Sequence, residues 1–314
     1  MKTKQKKQEM VDLVVQIDKE ELRLTFPFFI FKIFLGDNMK MRKEFIIYFA
    51  ITVVLLIFAS FYDNEISQIL YNRTSLFSKT IYIFSEAPAY LLLTFLSVGI
   101  FNTRNRDGSM ASMMSAAVGV TLAGIFAFVA GNVVLYNMGL YSITFTLAVA
   151  LGIYVCCYIL TKIINDRHPL ELRRISKLGI IGFMIIILIS FILITVFNRS
   201  PFRRIDGMVN LFENWYQLKP SFDMNGFMSR SFPSLPVSFA SILIVVNFFA
   251  RFLRMFEERR VLISIAIYTW IFVVVMSQLI LGYCFLSDAM MSLIIGNVVI
   301  TCCYYFIYKE NKQD

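Results

Sequence analysis

Charge is scarce in this chain. Asp, Glu, Lys and Arg make up 16% of its 314 residues, while 58% are hydrophobic and the mean hydropathy is +0.69. That balance excludes an ordinary soluble domain and indicates a polytopic membrane protein. Histidine is scarcer still: His168 is the single one. No His/Cys cluster with metal-ligand spacing occurs, and there is no glycine-rich phosphate loop or nucleotide motif, so no cofactor or metal is expected. The five cysteines supply no disulfide framework. Cys156, Cys157, Cys302 and Cys303 fall within apolar runs, where cysteine behaves as a small buried hydrophobe. Ionisable residues within those runs are few, which argues against the ion or proton pathway of a transporter.

What is present is a series of long apolar runs. Eight occur, at 46–62, 84–101, 113–136, 142–161, 178–197, 235–250, 261–282 and 288–308. A helix needs about 20 mostly apolar residues to cross a bilayer, so the second run, interrupted by Pro88, and the short sixth are the weakest. Backbone groups in lipid must pair internally, which makes the runs helices. The expected fold is all-α, a transmembrane bundle of six to eight spans. The domain plan is an amino-terminal segment at 1–44, one membrane domain at 45–308 without a repeat or soluble insertion, and a tail at 309–314.

The net charge of +9 does not point to nucleic acid, because of where the basic residues fall. They concentrate in the amino-terminal segment and in alternate loops, at 104–106, 162–177, 251–260 and 309–312. The positive-inside rule then puts 23 of the 30 in the cytoplasm, with both termini, and seven outside. In the amino-terminal segment, a cluster of lysines (Lys2, Lys4, Lys6, Lys7) precedes an aromatic patch at 26–35 that is too short to span. Two readings stay open: an interfacial helix drawn to anionic lipid, or translation starting at Met39 or Met41 rather than Met1.

Three segments near the carboxyl end carry a pattern. Ser277-Gln278-Leu279-Ile280-Leu281-Gly282-Tyr283-Cys284-Phe285-Leu286-Ser287-Asp288 resembles SRxxxGxHxxxD, with Gln278 for the Arg and Cys284 for the His. Ser231-Phe232-Pro233-Ser234-Leu235-Pro236 resembles SFPSGH, with Pro236 for the His. Asn198-Arg199-Ser200-Pro201-Phe202-Arg203-Arg204 resembles a bacterial GRxRxR form, with Pro201 at a phosphate-binding Arg and Ile194 at the expected Lys. Together they resemble degenerate forms of the motifs of the type 2 phosphatidic acid phosphatase superfamily, the lipid phosphate phosphatases and haloperoxidases. The resemblance covers roughly residues 80–305, and the topology brings all three segments to the outer face.

The resemblance implies a helical membrane core and hydrolysis of lipid phosphate monoesters or diphosphates. In that family one His attacks phosphorus, oriented by the Asp, and a second protonates the leaving oxygen. Lys and Arg neutralise the phosphate oxygens. Here both His positions are lost, at Pro236 and Cys284, while Asp288 remains, and His168 lies on the cytoplasmic side in a loop. A thiol at Cys284 is an alternative nucleophile, but thiolate formation needs a positive neighbourhood and Asp288 is one helical turn away. The plainer reading of Cys284 is an apolar filler at a helix end. Asp288 is expected either to pair with an Arg or to cap the last helix. The remaining candidates for an anion or lipid phosphate are Arg199, Arg203, Arg204, Arg230, Ser234 and Gln278, each alternatively part of a solvated rim. The expected function is a catalytically inactive relative binding a lipid phosphate or a membrane partner outside the cytoplasm. The alternatives are a phosphatase using Cys284 and a purely structural or assembly protein.

Overall fold

Six of the eight apolar runs form uninterrupted helices of 21 residues or more. The computed structural model describes residues 42–105, 107–206, 211–221 and 230–310. The amino-terminal segment up to residue 41, with its three candidate starts, and the tail beyond residue 310 lie outside them. The chain divides into two units, 1–48 and 49–314. Of the first, the described part is the opening of α1 (Arg42–Leu70). No strand occurs among the described residues, and seven helical stretches are long and apolar enough to cross a membrane. The all-α transmembrane bundle expected from the sequence is the fold observed.

The second apolar run is two helices in series, α2 (Leu76–Phe84) and α3 (Ala87–Asn102). Pro88 sits in the first turn of α3, where its missing N–H removes no helical bond. α3 is the central element: Tyr90, Leu93, Leu96 and Val98 are buried along it, and it packs on α4 (Met110–Asn137), α5 (Ile143–Asn165) and α6 (Pro169–Phe197). Close approach of α3 and α4 depends on Gly119, where a Cβ would lie 3.0 Å from the Phe101 nitrogen and the Ser97 oxygen.

The sixth run departs from a regular α-helix. It begins as α8 (Leu235–Ser241), after the short α7 (Phe202–Ile205), and continues as a 3-10 helix over Ile242–Arg251. As an α-helix, 16 residues rise only about 24 Å. Seven α residues and ten 3-10 residues rise about 30 Å together, which matches the thickness of the hydrocarbon core. The tighter winding thus extends a run that is otherwise too short. A linker turn, α9 (Arg254–Glu258), leads to α10 (Arg260–Ile280) and α11 (Leu286–Glu310). α11 packs on α6 and α8, and α10 packs on α2. These contacts gather the ends of α6 and α10 and the start of α8 around the start of α11.

Candidate functional site

The three motif segments meet at one end of the bundle. α6 stops at Asn198, whose left-handed backbone (φ 45°) is one that Asn tolerates, and the chain turns there into Arg199. The Arg199 carbonyl accepts hydrogen bonds from the Ser231 backbone N–H (3.0 Å) and hydroxyl (3.3 Å). Ser234 stands at the N-cap position of α8 and donates its backbone N–H to the Asp288 carbonyl (3.3 Å), while its own carbonyl accepts from the Ser292 hydroxyl (3.0 Å). Part of the long loop folds back over this end. The backbone N–H groups of Lys219 and Ser221 donate to the Val196 and Thr195 carbonyls, which the end of α6 leaves without helical partners.

Arg199 occupies the centre with 2% of its surface exposed. Nη1 donates to Asp288 Oδ1 (2.6 Å) and to the Ser287 hydroxyl (2.7 Å), and Nη2 donates to Asp63 Oδ2 (2.9 Å). The Phe285 ring lies 3.9 Å from the guanidinium carbon, a cation–π contact. Asp63 comes from α1, on a buried stripe with Thr52, Leu56, Ala59 and Ser67. It also accepts the Ser287 backbone N–H (3.1 Å) and hydroxyl (2.5 Å). That N–H belongs to the first turn of α11, so the helix dipole favours the carboxylate there.

Asp288 performs both of the roles expected of it, one with each oxygen. Oδ1 pairs with Arg199, and Oδ2 accepts the Phe285 N–H (2.8 Å), the reach-back half of a capping box on α11. A guanidinium held between two buried carboxylates is a poor phosphate ligand. An incoming phosphate must displace one carboxylate and lie against the other.

The remaining candidates separate. Cys284 is 1% exposed. Burial pushes its thiol well above the usual value and the Asp288 carboxylate adds to the rise, outweighing a hydrogen bond with Ser234 and the positive charge of Arg199. The thiol is therefore protonated near neutral pH, not a ready nucleophile. Native protein treated with N-ethylmaleimide at pH 7.5 is expected to leave Cys284 unmodified, with full labelling only after denaturation. Peptide mass spectrometry reads this directly, and native labelling at the rate of a free thiol would contradict it.

Pro236 lies in the first turn of α8 and carries no proton to give. Gln278 is 1% exposed, and its Nε2 has no hydrogen-bond partner among the described residues. Ile194, at the expected lysine position, is fully buried. Arg230 donates weakly to the Ser221 carbonyl (3.4 Å). His168 precedes α6, and 29 helical residues at 1.5 Å each put it about 43 Å from Arg199. It packs against the Phe252 ring and takes no part in the motif end.

Arg203 and Arg204 take a different course. They turn away from the ion-paired centre and line a separate cavity of about 550 Å³ together with Arg73 and Lys79. Two features escaped the sequence reading. Asp63 follows directly on an apolar run and reads as its polar end, although α1 continues to Leu70. Arg73 and Lys79 carry no motif at all.

The architecture defines a multi-pass helical membrane protein with a degenerate phosphatase-type motif face. Residues 177–312 match the model of the PAP2 superfamily, consistent with a member of the type 2 phosphatidic acid phosphatase superfamily. The matched stretch takes in Arg199, Ser234, Cys284 and Asp288, and leaves out α1 with Asp63. No curated protein and no solved structure matches the chain.

Proposed function

We propose that this protein keeps the frame of a lipid phosphatase, does not hydrolyse phosphate esters, and binds a lipid phosphate or a membrane partner on its extracytoplasmic face. The observation that carries the reading is the buried Asp63–Arg199–Asp288 arrangement. It turns the residues that would meet a phosphate into an internal ion pair. The protonated, buried Cys284 and the absence of an acid at Pro236 argue in the same direction, against thiol catalysis. The outward orientation rests on the excess of basic residues in the opposite loops.

The test is the lipid that stays with the protein. Lipid extracted from the detergent-purified chain and examined by phosphorus NMR is expected to be enriched in phosphomonoester or diphosphate lipid over the parent membrane. Extracted lipid identical to the bulk membrane would favour a structural or assembly role without a ligand.

A further inference from the structure

The segments at the motif end carry seven basic residues, and the structure sorts them. Arg199 is consumed by two carboxylates, Lys219 pairs with Glu213 (2.6 Å), and Arg230 points to a loop carbonyl. The other four, Arg73, Lys79, Arg203 and Arg204, line one cavity. No Asp or Glu lines it among the described residues, and no ion pair engages any of the four there. Four cations collected without a counter-charge repel one another, an arrangement that an anion relieves.

The walls are built and held. Asn72 donates its backbone N–H to the Ile280 carbonyl (2.8 Å), tying the α1–α2 loop to the end of α10. The Asn72 side chain accepts from the Thr74 N–H and hydroxyl, which fixes the turn next to Arg73. The Arg203 N–H donates to the Gly282 carbonyl (2.9 Å). Gly282 has φ +67°, and a Cβ there would lie 2.8 Å from the Tyr71 ring and 3.1 Å from the Arg203 nitrogen. Only glycine lets the three loops close around the cavity. Tyr82 and Tyr283 stack at 4.8 Å and 6° on one wall, and the Arg203 guanidinium lies 3.9 Å from the Tyr283 ring. That contact positions the guanidinium without using its N–H donors.

We infer that this cavity, beside the degenerate motif centre and not within it, binds a phosphoryl group carrying at least two negative charges. The inference rests on the ligand-binding half of the proposed function. The chemistry supports it: exposed guanidinium and ammonium groups give charge-assisted hydrogen bonds to phosphoryl oxygens, and phenol hydroxyls add further donors. The volume falls within the range of about 300–1,000 Å³ typical of small-ligand pockets. The phosphoryl group is either a lipid headgroup or a soluble phosphate.

The experiment measures binding to the full chain in detergent, using phosphatidic acid, phosphatidylcholine and inorganic phosphate as probes. Arg73→Gln/Lys79→Gln and Arg203→Gln/Arg204→Gln are compared with wild type. Arg254→Gln, on the α9 linker, serves as a charge control. Phosphatidic acid is expected to bind wild type and the control, and to bind each double variant at least about tenfold more weakly. Phosphatidylcholine is expected not to bind. All four positions are exposed, so the melting temperatures should hold. Lys79→Gln alone, expected to weaken binding several-fold, gives a reading if a double variant does not.

Phosphatidic acid binding that is unchanged in both double variants overturns the inference and leaves lipid phosphate binding standing. Inorganic phosphate binding as tightly as the lipid, and lost in the same variants, supports the cavity and overturns the lipid reading. No binding of either probe to wild type overturns both.

Discussion

Arg199→Ala is expected to destabilise the protein by about 3–5 kcal/mol, the range found when one partner of a buried ion pair is removed. The cost comes less from the lost bonds than from what remains. Asp63 and Asp288, at 4% and 0% exposure, would share a water-poor site with no cation between them. Ser287, which donates to Asp63 and accepts from Arg199, satisfies part of Asp63 but brings no charge. Arg199→Lys should recover little, because a single ammonium cannot reproduce a fork that reaches Asp288 and Ser287 through one nitrogen and Asp63 through the other. The triple variant Arg199→Met, Asp63→Asn, Asp288→Asn should recover most of the loss, since it removes the buried charges together. Unfolding in detergent, compared across the three variants, checks this. An Arg199→Ala protein within about 1 kcal/mol of wild type, the scale of a surface pair, would mean that the ion pair is not the keystone of this end.

Much of the fold was legible because lipid imposes few solutions. An apolar run of 20 or more residues without charge must be a helix, and the runs at 113–136, 142–161, 178–197, 261–282 and 288–308 are the helices α4, α5, α6, α10 and α11. Legibility failed where helices disobey composition. α1 runs past the polar residues Asp63 and Asn64 to Leu70, because Asp63 turns inward to a partner 136 residues away in sequence. Periodicity gives no sign of such a partner. The run at 235–250 reads as too short, and only the 3-10 winding of Ile242–Arg251 gives it the needed rise.

The motif residues were legible because their spacing survives substitution. Arg199, Ser234, Cys284 and Asp288 do converge, through contacts that link α6, α8 and α11. What spacing cannot convey is whether a charged residue is free or already paired. Arg199 and Arg203 lie four residues apart and look alike in sequence. One is buried between two carboxylates, and the other stands exposed beside a tyrosine ring. The partners that distinguish them, Asp63 on one side and Arg73 with Lys79 on the other, come from a part of the chain that carries no motif.

On the proposed function, the motif face is structural and performs no hydrolysis. The consequence is an all-or-none result, the second large effect expected here. Family-type hydrolysis needs a nucleophile with a usable lone pair, an acid for the leaving oxygen and uncommitted cations for the phosphate. At this centre the nucleophile position holds a buried thiol, the acid position a proline, and the one arginine is paired twice. The most direct test is phosphate release by the purified protein from phosphatidic acid, phosphatidylglycerol phosphate and undecaprenyl pyrophosphate, with Cys284→Ala measured beside it. Wild type and Cys284→Ala are both expected to stay at the rate of protein-free detergent on all three lipids. Release by wild type that disappears in Cys284→Ala would contradict the proposed function and give the thiol the histidine's role.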